Sequence, residues 1–151
     1  MLALAAMTAS LPHAGILVPG HSLAGVRLGE PANDVRAALG PHGVCDGCST
    51  LTWYVTYRKF TQPGLAVELT GGRVSAVYTI WQPSGWHTPA GLRLGAVEAQ
   101  VTKLAQPVTP VACPSSTALV HDARGTRTAY YIVDGKLWGF GLMRAGASPC
   151  R

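Results

Sequence analysis

Acids are scarce in this sequence. Seven Asp and Glu stand against twelve Lys and Arg, and charged residues make up only 13% of the 151 positions. The acids are spread singly, so no paired carboxylates are available for general acid–base work. The bases are scattered too, with no run longer than Arg58-Lys59. The formal charge of +5 therefore lacks the clustered stripe that nucleic-acid binding needs, and nucleic acid is not an expected partner. Long apolar runs are also missing. Pro12 and His13 interrupt the one at the start before it reaches membrane-spanning length, so no transmembrane segment is expected there.

That start, Met1 to Ser10, has the apolar centre and small-residue end of a secretory signal but no positively charged beginning. It reads as a truncated signal over residues 1–14, and the expected location is secreted or extracytoplasmic. No cysteine occurs before Cys45, so no lipid-attachment cysteine follows the apolar run. Four cysteines in an exported chain point to two disulfides, and sequence alone leaves three connectivities open. The economical pairing is Cys45–Cys48 locally and Cys113–Cys150 over distance, the latter tying down the C-terminal segment. Four free thiols in a cytosolic protein is the other reading.

What is present is turn chemistry and repetition. With 18 Gly, 11 Pro and 48% apolar residues, the composition is that of a turn-rich globular domain rather than a disordered one. Gly25-Val26-Arg27-Leu28-Gly29 and the residues after it align without a gap on Gly91-Leu92-Arg93-Leu94-Gly95, as far as Pro41 and Pro107. In the first copy, Pro31 suits a helix start, Val35, Ala38 and Leu39 give one apolar face, and Gly40-Pro41 is a stop. In the second, Val97, Val101, Leu104 and Ala105 form the face.

Alternating stretches follow each helix. Leu51–Phe60, Leu65–Leu69 and the strand after Gly71-Gly72 make a meander, with Leu69 expected opposite Val74, Val67 opposite Ala76 and Leu65 opposite Tyr78. Residues 83–90 read as a linker. Then come Thr117–His121, a turn at Arg124-Gly125, and a last hairpin, Arg127–Val133 and Lys136–Met143, around a type I′ turn at Asp134-Gly135. The expected fold is α+β: two tandem units, 15–82 and 91–151, each a short helix on a three- to four-stranded antiparallel meander.

Leu-Gly, a short spacer, Val, three residues and Leu-Gly-x-Pro, followed by a meander with Gly-Gly-Arg-Val at a hairpin, resembles a known tandem repeat. It is similar to the β-lactamase inhibitory protein group and to outer-membrane assembly lipoproteins of the SmpA/OmlA type, over nearly all of residues 20–145. The second copy departs, with Ala105-Gln106 where the first has Leu39-Gly40. The resemblance implies a binder rather than an enzyme, with the sheet faces away from the helices forming a concave protein-binding surface.

Three local patterns invite catalytic readings. Gly20-His21-Ser22-Leu23-Ala24 is a near miss to a nucleophile elbow, but no buried parallel sheet follows it. Cys45-Asp46-Gly47-Cys48, near His42, follows a helix and precedes a strand, the reverse of a thioredoxin-type site, and a structural disulfide fits better. His121-Asp122 are neighbours in a strand and point to opposite faces. No cofactor or metal is expected.

Carried across from the first meander, the register places Tyr130, Ile132, Leu137 and Met143 against the helix. Ala129, Tyr131, Val133, Trp138, Phe140 and Leu142 then form an apolar outer face, where a solvated antiparallel sheet should be polar. Such a face needs a cover: either the other unit or a partner. The candidate binding residues are Glu68, Trp81, Tyr131, Trp138 and Phe140. The expected function is an exported, non-enzymatic binding module for a protein or cell-envelope component. The alternatives are a small thiol–disulfide redox enzyme using Cys45 and Cys48, or a purely structural envelope protein.

Overall fold

The computed structural model describes residues 15–40, 48–55 and 62–151. In chain order these form strands β1 (Leu17–Val18) and β2 (Ser22–Leu23), helix α1 (Ala32–Leu39), and strands β3 (Thr50–Tyr54), β4 (Gly64–Thr70) and β5 (Arg73–Ile80). Helix α2 (Glu98–Leu104) follows, then strands β6 (Thr109–Ala112), β7 (Thr117–Ala123), β8 (Thr126–Val133) and β9 (Lys136–Arg144). β1 and β2 pair as a small hairpin. The other seven strands form one antiparallel sheet in the order β3-β4-β5-β9-β8-β7-β6.

This overturns the expected α+β architecture of two tandem units. The described chain is mostly strand, with helices of only eight and seven residues, and the two meanders are one sheet. β5 and β9 join them through Ala76 opposite Met143, Val77 opposite Leu142 and Tyr78 opposite Gly141. The reason lies in the edges. Two separate meanders would each leave β5 or β9 with a row of unpaired amides and carbonyls, and pairing them removes both rows. β6, absent from the expected elements, contains Pro110 and lies at the sheet's margin, where a proline is tolerated. Residues 83–90 are no spacer either: Trp86 is 2% exposed in the core, and His87 bridges to Ile16 and to Arg93.

What the two sequence copies share is a local docking. Gly29 N–H donates to Val74 O (2.8 Å) and Ala32 N–H to Gly72 O (3.0 Å). In the second copy Gly95 N–H donates to Leu137 O (2.7 Å) and Glu98 N–H to Gly135 O (3.0 Å). Each copy thus seats a helix start on the tip of a hairpin. The hairpin tips are as the turn chemistry predicts: Gly71 and Gly72 have φ of 59° and 74°, and Asp134 and Gly135 have 50° and 71°. Both central residues are left-handed, as type I′ requires.

One face of the sheet, the inner, is covered by α1, α2, the β1–β2 hairpin and Trp86. The helical contact stripes are narrower than expected. Val35 and Leu39 are buried but Ala38 is exposed, and Val101 and Ala105 are buried while Val97 and Leu104 are exposed. A helix of about two turns offers little more than one i, i+4 pair to the sheet.

The register differs from expectation at two places, and both have one cause. Leu69 faces Val74 as expected, but Glu68 faces Ala76, which leaves Ser75 as an extra residue in β5. Ile132 faces Leu137 while Tyr131 faces Gly139, which leaves Trp138 extra in β9. Each bulge stands three residues past the second glycine or glycine partner of its turn, Gly72 or Gly135. A bulged residue reverses the side to which all later residues point. Val77, not Ala76, therefore lies opposite Val67, and Thr79, not Tyr78, opposite Leu65. Phe140 and Leu142 turn inward to join Leu137, while Met143 turns outward. Phe140 meets Tyr130 edge-on, with ring centroids 6.1 Å apart.

Candidate functional site

The outer face is built on small residues. Ala76, Ala118 and Ala129 are buried there with Val120 and Met143, and Tyr131 lies over them. A Cβ at Gly141 would stand 2.6 Å from the Tyr131 hydroxyl oxygen, so only glycine lets the ring lie so close to β9. What Gly141 admits is therefore a ring on the outer face.

Residues 145–151 leave β9 and cross this face as a strap. Arg127 Nη1 donates to Ala147 O (2.8 Å), and the same guanidinium holds Asp122 through two bonds of 2.8 and 2.9 Å. Tyr131 Oη donates to Pro149 O at 2.7 Å. Cys150 is bonded to Cys113, with Cα atoms 5.4 Å apart. Arg151 ends the strap in an ion pair with Glu68 (Nε to Oε1 3.0 Å, Nη2 to Oε2 3.3 Å), its guanidinium 5.6 Å from the centroid of the Tyr78 ring. The expected Cys113–Cys150 bridge is thus present. Cys48 is disulfide-bonded, while Cys45, like the rest of residues 41–47, lies outside the described residues.

Beside the strap a cleft of about 270 Å³ stays open. Trp81 and Trp138 border it, with Tyr78, Tyr131 and Arg151 on the strap side and Ser115 and Ser116 from the β6–β7 turn. It exists because β5 and β9 part company after Tyr78. Where the ladder would continue, the Thr79 hydroxyl oxygen accepts the Phe140 amide at 2.9 Å in place of a backbone carbonyl. Trp81 is 48% exposed and has φ of 52°, a left-handed backbone that costs a side-chain-bearing residue on the order of 1 kcal/mol. Trp138, pushed out by its bulge, is 37% exposed.

Burial raises the pKa of Tyr131, and burial with Glu68 nearby raises that of Tyr78. Both shifts move phenols further from neutrality, so they serve as hydrogen-bond donors rather than bases. Among the described residues no three His, Cys, Asp or Glu side chains gather as a metal site. His121 Nδ1 is 2.6 Å from Pro107 O, and Asp122 is taken by Arg127, so the two form no joint site. Ser22 lies in β2, buried, and not on a strand-to-helix turn.

Of the candidate binding residues, Trp81, Tyr131 and Trp138 come together around the cleft, and Glu68 holds the arginine in its wall. Phe140 does not belong. It is 0% exposed on the inner face, because the bulge at Trp138 reverses its direction. Sequence reasoning missed Tyr78, Ser115, Ser116 and Arg151. Cys150 was the one available signal that the tail returns to the sheet.

No protein-family model matches the chain, and no curated protein does. Solved structures do. A DUF4309 family protein from Bacillus subtilis aligns with a TM-score of 0.55 at 18% identity, over 74% of this chain and 76% of that one. A cysteine-rich secretory protein from Staphylococcus aureus aligns at TM-score 0.51 and 9% identity. An extracellular protein containing an SCP domain, from Bacillus anthracis, aligns at 0.51 and 11%. In each of the last two the match covers 78% of this chain but only 44% of the other. At these identities the likeness is one of fold. None of the three is described as a β-lactamase inhibitory protein or an SmpA/OmlA-type lipoprotein. Among the described residues no helix is long and apolar enough to cross a membrane.

Proposed function

We propose that this chain is an extracytoplasmic binding module, without catalysis of its own, that engages a protein or cell-envelope component through the outer sheet face. The observation that carries the reading is the cleft between two half-exposed tryptophans, one of them held there at a backbone cost. Rigid aromatics in a concave site are the residues on which recognition energy concentrates. A disulfide-pinned strap suits an oxidising compartment. Two of the structural neighbours are described as secretory or extracellular. The repeat's resemblance to the inhibitory protein group, where the face away from the helices meets protein, points the same way.

The test is retention of the purified chain on washed cell-envelope material, compared with a Trp81→Ala/Trp138→Ala double variant of matched melting temperature. The double variant should lose retention by about tenfold or more. Equal retention of both would end the reading for this face.

A further inference from the structure

The outer face already holds peptide along one side of the cleft. The strap crosses it without joining the sheet, and besides the disulfide and the Arg127 bond to Ala147 O three contacts secure its end. Tyr131 donates to the carbonyl of Pro149, Arg151 lies over the Tyr78 ring, and Glu68 takes the Arg151 charge. These are the devices by which aromatic-lined grooves take proline-containing segments. Such segments have unpaired carbonyls along an extended backbone that is stiff before binding, so little entropy is lost on contact.

Beside the strap the same face opens into the cleft. The charge of Arg151 is occupied by Glu68, so among the described lining residues no free cation waits for a phosphate or carboxylate. Among the described residues the lining contains no Asp, Glu, Asn, Gln or His to surround the hydroxyls of a sugar. What it offers is flat rings, together with the hydroxyls of Ser115 and Ser116 as small donors. At about 270 Å³ it lies at the small end of ligand pockets, sized for a short run of side chains rather than a helix.

We propose that the cleft takes an extended, proline-containing peptide from a partner protein, laid against Trp81 and Trp138 alongside the strap. This deepens the binding reading above and rests on it.

The four tryptophans make the test internal to the molecule: Trp81 and Trp138 are exposed, Trp53 and Trp86 buried. A decaproline peptide is titrated into the isotope-labelled full chain while the indole N–H resonances are followed. A glycine–serine peptide of equal length and an N-acetylglucosamine oligomer serve as comparators. Decaproline should shift the Trp81 and Trp138 signals, leave those of Trp53 and Trp86 in place, and bind about tenfold or more weakly to both Trp138→Ala and Trp81→Gly. The glycine–serine peptide should do little. Decaproline binding that both variants retain, or no shift at millimolar decaproline, overturns the proposal. Shifts with the sugar oligomer alone overturn it too, and show a glycan site on the same face. If decaproline fails while envelope retention still depends on the two tryptophans, the peptide chemistry is wrong and the binding reading stands. If retention is also independent of them, both fall.

Discussion

The two faces of one sheet are closed in different ways. On the inner face, Val35, Leu39 and Val101 from the helices, Leu17 and Leu23 from the small hairpin, and Trp86 meet the branched side chains of the strands. That cover is a second layer, and its energy is apolar burial, about 25 cal/mol per Å². On the outer face the cover is a single pass of chain, residues 145–151. It is held by directional contacts: a disulfide, a phenol on a carbonyl, and an arginine on a carboxylate. A strap that narrow covers only part of the face, and the cleft between Trp81 and Trp138 is part of what it leaves open. A sheet face closed by layer packing has nothing left to offer a ligand, whereas one closed by a strap keeps an open margin.

The sharpest way to break this contrast is on β9 itself, where one bulge separates two large rings. Phe140→Ala should cost roughly 3–5 kcal/mol in denaturant unfolding, the usual range for a buried aromatic, and Trp138→Ala under about 1 kcal/mol. Similar losses for the two would mean that the bulge does not send them to opposite faces. Next in size is the strap. Replacing both Cys113 and Cys150 by Ala opens a loop of sequence separation 37, which chain entropy puts at about 4 kcal/mol. Hydrogen exchange should then quicken first in residues 145–151. Earlier loss of protection in the inner-face strands would show that the two covers are not separable.

Alkaline pH tests both faces together. Burial pushes Tyr130, on the inner face, up to about 12, and raises Tyr131, on the outer face, as well. In the unfolded chain these phenols ionise near their ordinary value of 10.0. Above that pH the unfolded state has lost protons that the folded state keeps, so unfolding releases protons and stability falls as pH rises. Their contribution is fully present below pH 10 and is lost on the way up to the folded values. Unfolding curves across that range should show the decline, and Tyr130→Phe and Tyr131→Phe should each flatten it. A decline unchanged in both variants would contradict the burial of these rings.

At neutral pH Tyr131→Phe should cost about 1 kcal/mol, because it leaves the Pro149 carbonyl without its donor. No change in melting temperature would mean the strap does not depend on that bond. The smallest effect has the opposite sign. Trp81→Gly relieves a left-handed backbone and should raise stability by up to about 1 kcal/mol. A clear loss instead would show that the Trp81 ring supports the fold rather than waiting at the cleft.

Much of the local structure was legible in the residues alone. Gly71-Gly72 and Asp134-Gly135 give hairpins because few other residues accept two successive left-handed conformations. Pro31 and Gly40 bound the first helix, and Cys113 and Cys150 announce a long tether. These features depend on chemistry within a few positions, or on a covalent bond with few possible partners. The bulges were less visible, although the large apolar residues around them stand three apart, Val74 to Val77 and Leu137 to Phe140, where strict alternation would place them at even spacing. One extra residue was enough to move Phe140 from the candidate site into the core while leaving Tyr131 and Trp138 outside. Only the tertiary structure decided that β5 and β9 pair, that the strap folds back over Tyr131, and that Thr79 ends the ladder early enough to open a cleft. Those outcomes turn on which strand edges are left unpaired and which face is left uncovered. Both are properties of the assembled sheet and of no single stretch of sequence.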